Sequence, residues 1–313
     1  MLKYILKRLA IAALTLIVIV FILYLMLQLM PGTPFNDEKL TADQLAIVKA
    51  KYGLDKPFII QFLTYLKMML HGDFGVSYSI QKNMPVAQIL GARLWVSVRI
   101  GLQAVAFGLI VGLLLGIVAA IKKNTWVDTL ASILSVIGVS IPSFVFALGF
   151  ILLFAKKLNL LPVLYNNHSP FISSIMPTIA LSVFTIANIA RFTRSEMVEV
   201  LGSEYIQLAK SKGISRNIII FKHALRNTLI QVVTILAPLI VGLMTGSLVV
   251  EKIFSIPGIG QLLTMGIQVN DYNVIMACAF IYSLLYIIVM LIVDLLYGVI
   301  DPRIRLVKGG KND

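Results

Sequence analysis

The chain has 313 residues, of which 59% are hydrophobic and 13% charged, and a formal net charge of +13. A soluble domain carries about a quarter charged residues, so this composition, with a mean hydropathy of +0.94, excludes an ordinary soluble enzyme and points to an integral membrane protein, which the apolar spans below make all-α. In such a protein an excess of Lys and Arg marks cytoplasmic loops facing anionic membrane lipid, so no nucleic-acid partner is expected.

Residues 1–8 are basic through Lys3, Lys7 and Arg8, and residues 9–30 form an almost unbroken apolar run. That length spans a hydrocarbon core about 30 Å thick. It exceeds the apolar centre of a signal peptide, and no small-x-small site follows. The expectation is an uncleaved first transmembrane helix, ended by Pro31-Gly32-Thr33-Pro34. Residues 31–92 are mixed in polarity and read as a large extracellular insertion, with short amphipathic helices at 41–52 and 57–70. Apolar spans follow near 97–121, 130–154, 175–192, 229–250 and 274–299, which gives six transmembrane helices.

Within these spans Ala104, Gly108, Gly112, Gly116 and Ala120 recur every four residues, and Gly242 and Gly246 repeat the spacing in the fifth. Small residues at this interval let helix backbones approach closely in lipid, either as general packing or as a subunit seam. Pro142 and Pro238 remove backbone hydrogen bonds and should bend the third and fifth spans, as hinges or as static kinks. Pro257-Gly258 breaks the chain before a short helix over 259–269. Asp294, in the cytoplasmic half of the sixth span, reads as hydrogen-bonded to a neighbour or to interfacial water.

Six spans place both ends on one side, and basic residues choose which. With both termini cytoplasmic, the inner segments hold Lys3, Lys7 and Arg8; Lys122 and Lys123; Arg191, Arg194, Lys210, Lys212, Arg216, Lys222 and Arg226; and Arg303, Arg305, Lys308 and Lys311. The short outer loops hold only Lys156, Lys157 and Lys252. The division is therefore a cytoplasmic N-terminus and first helix (1–30), the insertion (31–92), a core (93–300) containing the cytoplasmic loop 191–227, and a cytoplasmic tail (301–313).

The loop 191–227 is the longest clearly polar interval after the first hundred residues. Ser203 can cap a helix starting at Glu204 by accepting a free backbone N–H. Glu204 at its start and Lys210 and Lys212 at its end suit the helix dipole. Gly213 is a natural stop, and Ser215 can open the next helix. Tyr205, Leu208 and Ala209 have the spacing of one apolar face. Only about two and a half turns long, this helix is too short to stand alone and reads as a docking surface.

The string Glu204-Tyr205-Ile206-Gln207-Leu208-Ala209-Lys210-Ser211-Lys212-Gly213, followed by His223-Ala224-Leu225-Arg226-Asn227, resembles the cytoplasmic signature loop of permease subunits in binding-protein-dependent ABC importers. The string looks like the variant used by oligopeptide, dipeptide and nickel permeases: Gln207 and Leu208 stand where the broad motif has Glu and Ala, and Arg226 where it has Pro. Further landmarks of that branch are Tyr52-Gly53-Leu54-Asp55-Lys56-Pro57, His71-Gly72-Asp73-Phe74-Gly75, Ile141-Pro142-Ser143-Phe144, Arg194-Ser195-Glu196-Met197, Phe254-Ser255-Ile256-Pro257-Gly258-Ile259-Gly260 and Asp301-Pro302-Arg303.

The resemblance implies a type I ABC-importer permease fold and a multi-pass protein of a prokaryotic cell membrane. It also implies a second, similar permease subunit, two cytosolic ATP-binding subunits and an extracellular substrate-binding protein. Glu204, Tyr205, Gln207, Leu208, Ala209, Lys210 and Gly213 would couple the permease to the ATPases, and Pro142, Pro238, Pro257 and Gly258 are candidate gate or hinge positions. The implied cargo is oligopeptide, with dipeptides or nickel as alternatives. ATP and Mg would bind the partner ATPases and no cofactor this chain.

Other classes fit less well. The chain has no G-x-x-x-x-G-K-[S/T] phosphate loop, and no histidine lies in a span to activate Ser140 of Gly138-Val139-Ser140, so an enzyme is not expected. His71, His168 and His223 are far apart, without a cysteine or second histidine at ligand spacing, so no metal site is expected. Cys278 is the single cysteine. An ion-driven secondary transporter would need buried polar groups and paired broken helices, of which the sequence offers only Asp294. A receptor role would leave the cytoplasmic helix and its glycine without purpose.

Overall fold

The computed structural model describes residues 2–29 and 56–300; at 2–5, 27, 29, 237, 238, 241, 242, 244–247 and 294–300 it describes the backbone alone. Among the described residues the regular structure is helical apart from one isolated bridge between Val76 and Pro85, with turns and short loops between the helices. Among the described residues five helices are long and apolar enough to cross a membrane, and a bent pair makes a sixth crossing if counted as one. The candidate helix at 41–52, the tail 301–313 and the side chain of Asp294 lie outside the described residues.

Two compact units divide the chain, residues 1–98 with 256–291 and residues 99–255 with 292–313. In the first unit α1 (Leu2–Leu29) is apolar on every side from Leu9 to Met26 except at Thr15, the signature of a helix solvated by lipid. Its Val20 and Tyr24 pack with Phe62, Tyr65, Leu66 and Met69 of α2 (Phe58–Leu70) and with Met276 and Phe280. At 13 residues α2 reaches about 20 Å, short of a crossing.

α3 (Val86–Ile121) begins within the segment read as insertion, seven residues before the expected core boundary at 93. Its first turns bury Val86, Ile89 and Leu90 against Ile259, Leu262, Val274 and Ala277. These belong to α9 (Ile259–Gln268) and α10 (Tyr272–Ile300). The polar residues Gln88, Arg93 and Arg99 hid this start, because hydropathy alone does not separate a helix leaving the bilayer from a loop.

One buried carboxylate organises the connection into α3. Asp271, fully buried, accepts hydrogen bonds through Oδ2 from Ser77 Oγ (2.6 Å), Ser79 N–H (3.0 Å) and Ile80 N–H (3.2 Å). Asn273 Nδ2 donates to the Val76 carbonyl at 2.8 Å. Both anchors sit at the start of α10, so residues 76–80 are fastened to it rather than left as an open loop.

In the second unit α6 (Pro170–Gly202) is the central element. α4 (Trp126–Ser140), α5 (Ser143–Phe150) and α8 (Leu225–Ile253) all pack on it. The small-residue stripe of α3 faces the same helix. A Cβ on Gly108, Gly112 or Gly116 would stand 2.8, 2.7 or 2.6 Å from the Cβ of Thr185, Ile189 or Thr193. The stripe thus packs within the chain. Gly242 and Gly246 lie on α8, where their surroundings are outside the described residues.

The expected third span is broken rather than curved. α4 ends at Ser140, and after Ile141 and Pro142 the chain continues as α5 and an i→i+5 wound segment, Ile151–Lys157, bent from α4 by 104°. Pro142 has φ −59° and ψ 144° and serves as the residue before α5, where its missing N–H is harmless. By contrast α8 runs as helix through Pro238. At the far turn Gly258 is extended, with φ −104° and ψ −179°, while Ser255 takes the left-handed conformation at φ 51°. The sharp reversal assigned to Pro257-Gly258 therefore begins earlier, at Ser255. Ser97 Oγ receives the free Ile259 N–H at 2.9 Å and closes the start of α9.

Candidate functional site

Most of the interval 191–227 is helical. α6 continues through Gly202, because Met197 buries against Ala120, Ile220 and Ala224 and holds the extension in place. The segment expected as a polar loop is thus a helical arm leading to α7 (Glu204–Ser211). The chain then turns back through Arg216–Ile218 and an i→i+5 segment, Ile219–Ala224, into α8.

Ser203 occupies the residue before α7, but its hydroxyl does not cap it. Ser203 Oγ donates backward to the Val200 carbonyl at 2.6 Å, while its backbone carbonyl accepts Ile206 N–H (3.2 Å) and Gln207 N–H (3.1 Å). The serine closes the end of α6 instead of the start of α7. Gln207 Nε2 donates to Gly202 O at 3.3 Å, a second tie across the same corner.

The other end of α7 is as expected and stronger. Gly213 has φ +76°, the left-handed region that side chains disfavour. Its N–H donates to Lys210 O at 2.9 Å, and Ile214 N–H donates to Ala209 O at 3.2 Å. That reciprocal pair is a Schellman closure, and its usual apolar contact is present, since Ile214 packs with Ile206, Ala209 and Ile219.

The apolar face differs from the one read in the sequence. Ile206 (0% exposed) and Ala209 turn inward onto Ile219, Val200 and Leu201. Tyr205 (43%) and Leu208 (57%) are exposed, side by side at i and i+3. The two faces overlap in sequence because Tyr205/Leu208 and Ile206/Ala209 share one spacing and are offset by a single residue. Only the buried pair can offset the ordering of so short a helix, which was the signal for Ile206. The exposed pair is left free for another surface.

Tyr205 is fixed in direction. Its hydroxyl oxygen accepts Asn227 Nδ2 at 2.6 Å, linking α7 to the start of α8. Glu204, Gln207, Lys210 and Lys212 surround the exposed pair with polar groups. Beside α7 a cavity of about 470 Å³, walled by Ile121, Leu201 and Ile219, carries Lys210 and Arg216. The Asn227–Tyr205 bond and this cavity had no pattern in the sequence, since both depend on the chain folding back through residues 214–224.

A sequence profile described as "Binding-protein-dependent transport system inner membrane component" matches residues 112–306, and its N-terminal counterpart matches residues 1–100. The chain belongs to this family. As a binding-protein-dependent inner membrane component it is 46% identical to the dipeptide transport system permease protein DppB of Lactococcus lactis subsp. cremoris, over 98% of this chain and all of that protein. It is 41% identical to the oligopeptide transport system permease protein OppB of Salmonella typhimurium, over 97% of this chain and all of that protein. A chain of the MetNI methionine ABC transporter, solved in inward-facing conformations, superposes with a TM-score of 0.58 at 16% identity. It covers 68% of this component and 97% of that chain. The fold is therefore that of an ABC-importer permease, and the resemblance first carried by short motifs extends over nearly the whole sequence.

Proposed function

We propose that this permease moves peptides inward across the cytoplasmic membrane of a prokaryote and takes its energy from ATP hydrolysed on separate subunits. Relatives named as dipeptide and oligopeptide permeases at 46% and 41% identity support peptide cargo over nickel. Oligopeptides are the first reading and dipeptides the alternative, each supported by a relative of that name. The working complex holds this chain, a second homologous permease, two cytosolic ATP-binding subunits that carry ATP and Mg, and an external binding protein that selects cargo. Both termini and α7 face the cytoplasm, in keeping with the basic residues of 191–227.

The observation that carries this reading is the division of α7 into two faces. Ile206 and Ala209 bind it to its own arm, and Tyr205 and Leu208 are exposed on a helix closed at its far end by Gly213. A rigid element with a small exposed apolar patch transmits force from whatever binds the patch, provided the helices it moves have two packings. An ion-driven carrier has no use for such a mount.

The test is uptake of a labelled peptide by proteoliposomes holding the complete complex. Uptake should require ATP and be indifferent to collapse of ion gradients. Uptake that follows the proton gradient without ATP would establish the carrier reading instead.

A further inference from the structure

We propose that the Asp128–Arg194 ion pair is the strut that carries movement of the α7 arm into the broken third span, a reading that rests on coupling through α7. Arg194 lies on α6, beyond its expected membrane-spanning part and before the corner at Ser203. Asp128 lies in the first turn of α4. The guanidinium grips the carboxylate with two nitrogens: Nε meets Oδ1, and Nη2 meets Oδ2 at 2.7 Å. The Asp128 side chain is only 6% exposed. A two-point charged contact fixes both distance and direction, which a single hydrogen bond does not.

The carboxylate is itself held from behind. Oδ2 also accepts Asn124 N–H at 2.9 Å, where Asn124 takes a left-handed turn at φ 62° between α3 and α4. Asp128 is thereby fixed to the turn that starts α4, and pulling on it moves that helix end as a unit.

The two ends of the strut lead to the right places. From Arg194, α6 runs without interruption to Gly202, where Val200 and Leu201 join the cluster that seats Ile206 and Ala209 of α7. From Asp128, α4 runs to Ser140, and the 104° break follows at once. Along the way Gly138 approaches α6 so closely that a Cβ there would lie 2.8 Å from the Cβ of Ala187. α4 is therefore held against α6 at two heights before the break, and α5 packs on α6 again beyond it, so Pro142 is where the span changes direction between the two contacts. The contact at Gly138 is apolar and carries no directional bond; the charged fork supplies one.

The experiment uses the complete transporter in proteoliposomes and reads peptide uptake and ATP hydrolysis together. Asp128→Asn retains an oxygen for the Asn124 N–H and removes the charge. Arg194→Gln removes the fork, and Arg194→Lys keeps the charge with one contact. The first two should still assemble and hydrolyse ATP, while peptide moved per ATP falls about fivefold or more, the lower end of ordinary coupling between sites. Arg194→Lys should fall between them and the unaltered protein. Unchanged peptide per ATP in Asp128→Asn and Arg194→Gln overturns the strut. So does a loss of uptake and hydrolysis in equal proportion, which marks a purely structural contact. A failure of the unaltered complex to couple uptake to ATP contradicts the function proposed above, and is thereby told apart from a failure of the strut.

Discussion

Gly116 and Thr193 touch where α3 crosses α6: a Cβ on the glycine would stand 2.6 Å from the threonine Cβ and 2.7 Å from the Ala190 carbonyl oxygen. Lipid offers no hydrophobic reason for two apolar helices to associate, so close backbone approach of this kind supplies the packing that holds them. One face of one helix, repeated at Gly108 and Gly112, thus sets where the arm leading to α7 stands.

Gly116→Ala should destabilise the protein by about 1–3 kcal/mol through overpacking, read as a lower thermal midpoint in detergent. Gly91→Ala places its methyl where no heavy atom lies within 4 Å and should be neutral or stabilise by up to about 1 kcal/mol. Equal midpoints for the two variants would mean that α3 and α6 are not in contact at Gly116.

The two faces of α7 predict opposite phenotypes. Ile206→Ala empties a fully buried site and should cost about 2–5 kcal/mol of the packing that seats the helix. It should appear as faster amide exchange over 204–211. Leu208→Ala should leave exchange unchanged and weaken capture of the ATP-binding subunits by about 1 kcal/mol or more. The reverse assignment of effects would turn the helix over.

Gly213→Ala forces a side chain into the left-handed region at φ +76° and should cost about 1–2 kcal/mol at the end of α7. Gly213→Asn should cost less, since asparagine enters that region more readily. Exchange at the Ile214 amide, which closes the turn, reports the difference; identical exchange in both variants would contradict the turn geometry.

Asp271→Ala removes the acceptor for Ser79 and Ile80 N–H and leaves both without a partner, at about 1–3 kcal/mol each. Residues 76–80 should become open to limited proteolysis while the helices stay intact. Resistance equal to that of the unaltered protein would show that Asn273 holds the segment alone.

What could be read from the sequence follows the range of the forces concerned. Gly213 was legible because a left-handed stop is a local requirement, and the glycine stripe because its period is helical. The apolar runs were legible because lipid demands apolar length, but the break that divides the third of them after Ser140 was not. Ile206 was obscured by Leu208, which offers the same spacing one position away. The start of α3 at Val86 and the extension of α6 to Gly202 were hidden by polar residues that are helical because of what they pack on. Asp128–Arg194 and Asp271–Ser77 were out of reach, since each joins residues far apart along the chain, and nothing local in Asp or Arg names its partner. Ser203 carried the right residue for a cap and used its hydroxyl on the preceding helix instead.

The most direct measurement of the central claim is site-specific photocrosslinking from position 208 in the assembled transporter, with position 206 as the buried control. The account predicts that a photoreactive residue replacing Leu208 captures an ATP-binding subunit and that one replacing Ile206 does not. Capture of the external binding protein from position 208, or of no ATP-binding subunit at all, would contradict it.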